Sequence, residues 1–99
     1  MAHKVRWSLE ASKDLESIAD YIARDSENYA RLVVTKVLDS TRNFEMFPYA
    51  GRIVPEFSDP NIREVFIYNY RVIYEILDES VVILAIIHGS RILHINDRI

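Results

Sequence analysis

Cysteine is absent from this 99-residue sequence, and it holds only two glycines and three prolines. Without a thiol there is no disulfide, no thiolate metal site and no cysteine nucleophile, a composition that fits a reducing compartment. No apolar run approaches the roughly 20 residues needed to cross a bilayer, and the start Met1-Ala2-His3-Lys4-Val5-Arg6 lacks the apolar segment of a secretory signal. The expectation is a soluble, cytoplasmic protein with no membrane partner. Repeats, low-complexity stretches and linkers are also missing, so residues 1–99 read as a single domain around one core. His3, His88 and His94 lack metal-ligand spacing and nothing resembles a glycine-rich phosphate loop, so no metal and no other cofactor is expected. Twelve Lys+Arg against 15 Asp+Glu give a net charge of −3. That balance argues against a broad phosphate-gripping face, although a small arginine cluster is compatible with it.

What is present is strongly patterned. Residues 62 to 88 are rich in β-branched and aromatic side chains and broken only at Tyr68-Asn69 and Asp78-Glu79-Ser80, which predicts strands over 62–68, 70–77 and 81–88 joined by tight turns. In the second, Tyr70, Val72, Tyr74 and Ile76 share one face and Arg71, Ile73, Glu75 and Leu77 the other. The third, Val81 to His88, is apolar on both faces and should be central. Val5, Trp7 and Leu9 alternate with polar neighbours, which predicts a short first strand over 3–8 that pairs at an edge.

Between these strands the period changes. Ser8 is placed to cap a helix with Ala11, Leu15, Ile18 and Ile22 on one face, ending near Arg24. Asp14, Glu16 and Asp20 read as its solvated side. Asp25 or Ser26 caps a second helix, in which Ala30, Val33, Val34, Val37, Leu38 and Phe44 keep helical spacing until Phe47 and Pro48. So short a connection predicts an antiparallel hairpin lying over one face of the sheet. Residues 48–61 hold all three prolines and read as an ordered loop anchored by Ile53, Val54 and Phe57.

The order of these elements, together with Phe47-Pro48-Tyr49-Ala50-Gly51-Arg52, Ile62-Arg63-Glu64, Tyr70-Arg71-Val72-Ile73-Tyr74 and His88-Gly89-Ser90-Arg91, resembles the RelE/ParE toxin superfamily of type II toxin–antitoxin modules over residues 4 to 93. The resemblance implies an α+β fold: an N-terminal strand and an antiparallel two-helix hairpin packed on a twisted, mainly antiparallel sheet of about four strands. It also implies a toxin held inactive by a cognate antitoxin, with which it forms a hetero-oligomer. ParE-like members inhibit DNA gyrase by binding it, whereas RelE-like members are ribosome-dependent mRNA endonucleases.

In the RNA-cleaving case Arg71 and Arg91 would clamp the phosphate and His88 would transfer a proton. In the gyrase case Arg91, His88, Arg71 and Arg63 would form the target-binding surface, with no catalytic residue. The tail from Ile92 to Ile99 has no tyrosine, with His94 its only group suited to proton transfer near neutrality, and there is no lysine after Lys36. The Phe-Pro-x-x-Gly-Arg loop and the His-Gly-x-Arg ending look more like ParE, so gyrase is the expected target, with the ribosome and its mRNA as the alternative. A third reading is a complex-forming module without toxicity.

Each candidate also has a structural reading. Arg71 can pair with Glu64 or Glu75, His88 can be a structural residue at a strand end, and Arg91 can be a solvated side chain. Arg52 and Arg63 can brace the loop and sheet, and Tyr68, Tyr70 and Tyr74 can be packing aromatics. Because the last strand is apolar on both faces, the sheet face away from the helices needs cover. The antitoxin's C-terminal segment is expected to supply it, together with the groove beside the hairpin.

Overall fold

The computed structural model describes residues 2–89. Its elements are β1 (Lys4–Trp7), α1 (Leu9–Ala23), α2 (Glu27–Asn43), a 3-10 turn at Pro48–Ala50, β2 (Arg52–Ile53), β3 (Ile62–Ile67), β4 (Tyr70–Ile76) and β5 (Ser80–His88). They form an α+β fold whose five-stranded sheet has the order β1-β5-β4-β3-β2. β1 runs parallel to β5 and every other pair is antiparallel. The parallel pair is reached only through a long crossover, which the helical hairpin supplies. β5 is central, as its two apolar faces require.

Two features of the fold differ from the sequence reading. The 48–61 segment is more than a loop, because Arg52 and Ile53 pair with Glu64 and Arg63 and add a fifth strand. Of its expected anchors, Val54 is fully buried and Phe57 packs against the second core, but Ile53 is 40 % exposed. Arg52 sits opposite Glu64, so alternation turns Ile53 to the other side of an edge strand. The second helix also ends earlier than Phe47. Backbone N–H groups of Phe44 and Glu45 bond to Thr41 and Arg42 in tightened turns, and the Phe44 ring stacks on Tyr74 at 3.9 Å. Apolar spacing thus continues past the helix end because Phe44 is recruited from the turn.

The hairpin covers one face through Ala11, Ile22, Ala30, Val33, Val37 and Phe44, against Val72, Tyr74, Ile76, Val81, Ile83 and Ile86. The opposite face has its own core of Ile62, Ile73, Ala85 and Ile87, closed by Val54 with Phe57 and Leu84. Part of the cover assigned to a partner therefore comes from the chain itself. The 54–59 segment holds its shape through Phe57 and Ser58 N–H bonds to Val54 O, with Ser58 at φ 54°.

Pairing between β4 and β5 slips by one residue, from Ile73↔Ala85 to Tyr74↔Ile83, leaving Leu84 as the extra residue of a bulge. β1 has ended at this point, and α1 takes over the β5 edge. Ser8 accepts from Ala11 N–H at 3.0 Å as the helix cap and donates its hydroxyl to Leu84 O at 3.2 Å. Asp14 accepts from Ile86 N–H at 3.0 Å. Asp14 is thus not part of a purely solvated face, while Glu16 and Asp20 are exposed as expected. Ser8→Ala removes a cap and a bulge contact together and should lower stability by about 1–2 kcal/mol, measured as a shifted urea midpoint at constant slope.

Candidate target-binding surface

On the face away from the helices, β-strand alternation brings Arg52, Glu64 and Arg71 to one side of three neighbouring strands. Arg71 Nε donates to Glu64 Oε1 at 2.6 Å, and its two terminal nitrogens donate to the Glu56 carboxylate at 2.8 and 2.9 Å. Arg52 Nε donates to the other Glu64 oxygen at 2.6 Å. Arg71 is 4 % exposed and Glu64 1 %. A charged pair this deep persists only when its donors and acceptors are matched, as these are. The bidentate bond to Glu56 is the main reason the Arg71 pKa lies above its ordinary value, with Glu64 adding to it and burial opposing it. Of the two strand carboxylates named for Arg71, the structure selects Glu64; Glu56 sits in a stretch without periodicity and gave no signal.

Arg63 is on the helix side of β3, since it pairs with Tyr74. Its Nε donates to Pro60 O at 2.9 Å and a terminal nitrogen to Gly51 O at 3.0 Å, and the guanidinium lies 4.8 Å from the Tyr49 ring centroid. Beside it, the buried Tyr74 hydroxyl donates to Pro48 O at 2.7 Å and accepts from Gly51 N–H at 2.9 Å. The Phe47-to-Arg52 stretch is thus a clasp around one phenol.

His88 ends β5 opposite Tyr70, also on the helix side, with the rings edge to face at 5.8 Å. Tyr29 meets Tyr68 edge to face at 5.7 Å, and Arg24 lies 5.9 Å from the Tyr21 ring centroid. Burial, then the proximity of Tyr29 and Tyr21, pushes the Tyr70 hydroxyl above its ordinary pKa of 10.0. Tyr21 is 67 % exposed and Tyr68 51 %. Tyr68 also sits at φ 54°, a backbone state that a bulky residue occupies only at a cost.

The sequence-derived candidates are therefore not gathered in one place. His88 lies at the aromatic end on the helix side, Arg71 is locked on the opposite face, and Arg63 braces the loop near the far end of the strands. Arg91, His94 and the rest of the 90–99 segment lie outside the described residues. Tyr21, Tyr29 and Arg24 were not singled out in the sequence. Their signal was present, because Tyr21 and Tyr29 flank the short helix connection, and an antiparallel hairpin must bring such residues to one end.

A family model described as ParE toxin of type II toxin-antitoxin system, parDE, matches residues 5–93. No curated protein sequence matches the chain. Among solved structures, the chromosomal ParDE TA system from P. aeruginosa is similar, with a TM-score of 0.73 and 17 % identity, covering 90 % of this chain and 98 % of the other. At that identity the likeness shows the fold. The match over residues 5–93 shows the family: the chain belongs to the ParE toxins of type II toxin–antitoxin systems.

Proposed function

We propose that this toxin acts in the cytoplasm by binding DNA gyrase and inhibiting it without cutting RNA, and that a cognate antitoxin neutralises it in a hetero-oligomer. The observation that carries the choice of mechanism is the commitment of Arg71. A guanidinium held by two carboxylates and 4 % exposed is poorly placed to clamp a scissile phosphate. The exposed group on the helix side of the sheet, Tyr21, Tyr29, Tyr68 and His88 beside Arg24, has the composition of a protein-binding hot spot. Arg91, two positions past Gly89 in the sequence, keeps its place in the target-binding set on the family resemblance. Among the described residues no helix is long and apolar enough to cross a membrane, which fits a cytoplasmic target.

Two assays with purified protein test this. Supercoiling by gyrase should be inhibited, and mRNA in a translating extract should stay intact. Cleavage in the extract without gyrase inhibition would favour the RelE-like reading, and silence in both would favour a module without toxicity.

Tyr68 gives a sharper test. Tyr68→Asn replaces a strained residue by one that tolerates positive φ, so the fold should gain up to about 1 kcal/mol. Loss of the exposed ring should nevertheless weaken gyrase inhibition tenfold or more. A variant that is more stable yet inhibits as well as wild type would remove Tyr68 from the binding surface.

A further inference from the structure

The geometry points to a second protein-docking surface at the β2 edge of the sheet, formed by Phe47, Tyr49 and Ile53 with the Arg63 guanidinium among them. It fits a partner segment that presents a carboxylate between large apolar side chains. The inference stands on this surface and not on the choice of toxin target.

β2 is the edge strand at the opposite side of the sheet from β1. Ile53 pairs with Arg63, which puts both side chains on one face of the β2–β3 pair. The Tyr49 ring also meets Arg63, with its centroid 4.8 Å from the guanidinium. Phe47 and Tyr49 stand on either side of Pro48 and are 61 % and 57 % exposed. They are displayed on a fixed turn. Ala50 N–H donates to Phe47 O at 3.1 Å, the Tyr74 hydroxyl holds Pro48 O and Gly51 N–H, and Arg63 holds Gly51 O. Large side chains on a turn pinned at these points lose little freedom when a partner covers them, which favours binding. The clasp around Tyr74 therefore presents an apolar surface as well as closing the fold.

Arg63 specifies the occupant. Its Nε and one terminal nitrogen donate to the carbonyls of Pro60 and Gly51, and the other terminal nitrogen has no hydrogen-bond partner among the described residues. Arg52 and Arg71 are answered by Glu64 and Glu56, but Arg63 has no ion pair among the described residues. Its charge is thus half-buried and met by neutral oxygens alone. An added carboxylate would supply the missing counter-charge, and the apolar side chains beside it would cover Phe47, Tyr49 and Ile53. A nucleic acid fits poorly, because one cation among apolar groups cannot neutralise a run of phosphates. A symmetric contact with a second copy fits poorly as well, because it would set two unanswered guanidinium groups close together.

The test uses the full chain and three pentapeptides blocked at both ends: Leu-Phe-Glu-Phe-Leu and its glutamine and lysine counterparts. Nuclear magnetic resonance titration gives both affinity and place. The acidic peptide should bind at least tenfold more tightly than the glutamine peptide and shift the Gly51 N–H and Arg63 Nε–H signals. Phe47→Ser and Tyr49→Ser change exposed side chains, so each should weaken binding at least tenfold with an unchanged urea midpoint. Arg63→Gln should abolish the preference for glutamate over glutamine. Because that variant also frees two carbonyls and lowers stability, the ratio of the two affinities is the quantity read.

Four results would overturn the inference. They are equal affinity for the acidic and glutamine peptides, signal shifts confined to residues outside 47–53 and 63, binding unaffected by the two serine variants, and a dimer of the free chain that Tyr49→Ser dissolves. None of them bears on gyrase inhibition, so failure here is distinguishable from failure of the functional reading.

Discussion

Arg71→Ala is expected to destabilise the fold by about 3–5 kcal/mol, the cost of breaking one side of a buried ion pair. Small domains hold together by about 5–15 kcal/mol, so the variant should be largely unfolded at moderate urea or a slightly raised temperature. The reason is geometric. Removing the guanidinium strips Glu64 Oε1 of its 2.6 Å donor and Glu56 of its bidentate one, and leaves a carboxylate with a fully buried side chain answered only by the largely exposed Arg52. Arg71→Lys keeps the charge but cannot reach both carboxylates through a planar fork, so it should fall between alanine and wild type. Replacing the charges together, as in Arg71→Met with Glu64→Leu and Glu56→Gln, should cost far less than alanine alone, because the uncompensated carboxylate is gone. Urea denaturation orders the three, and a loss below 1 kcal/mol for Arg71→Ala would show that the network does not hold the 52–56 segment to the sheet.

The clasp around Tyr74 carries the second large effect. Tyr74→Phe keeps the ring stacked on Phe44 but leaves the N–H of Gly51 and the C=O of Pro48 without their partner. Each orphaned buried group costs about 1–3 kcal/mol, so a total loss of about 2–4 kcal/mol is expected. Gly51→Ala attacks the same point sterically, since a Cβ there would stand 2.5 Å from Glu64 O and 2.7 Å from the Tyr74 hydroxyl. The first of these is β-strand backbone and cannot swing away, so about 1–3 kcal/mol more strain is expected than for an alanine in open space.

The clasp also predicts a pH dependence. Burial, opposed by the Gly51 N–H and by Arg63, raises the Tyr74 pKa above 10.0, and Tyr70 is raised as well, by burial first. A proton held more tightly in the folded chain gives stability that is complete below the ordinary tyrosine pKa and lost as pH rises from there through the raised folded value. Denaturation midpoints should therefore stay flat up to the ordinary tyrosine value and decline above it. The decline should be shallower in Tyr74→Phe.

Much of this architecture was legible because a few residues leave little choice. Val81 to Ile87 is apolar throughout, which fits only a strand covered on both sides, and Ala11, Ile22, Val33 and Val37 keep helical spacing. What was not legible depended on contacts remote in sequence. The same unbroken apolar run that identifies β5 hides its bulge, since slipping one residue at Leu84 exchanges one apolar side chain for another. Asp14 reads as a surface carboxylate until the edge of β5, 72 positions away, is placed beside it. Glu56 has no periodic neighbour to mark it, and β2 is too short at two residues to carry an alternation. The Phe47-to-Arg52 stretch was visible as a family marker, but its physical reason is a phenol 23 positions beyond Gly51. Among the candidate site residues, sequence reasoning favoured arginines, and Arg71 shows why the sequence alone does not place them: its two partners, Glu64 and Glu56, lie 7 and 15 positions away.

Gyrase supercoiling measured side by side with two folded variants tests the account most directly. One is the charge-free Arg71→Met/Glu64→Leu/Glu56→Gln protein and the other is Tyr29→Ala/Tyr68→Ala. If the buried cluster serves the fold and the aromatic end serves the target, the first should inhibit as strongly as wild type and the second should lose at least tenfold in potency. The opposite pattern, with the charge-free protein folded but inert and the double tyrosine variant fully inhibitory, would contradict the account.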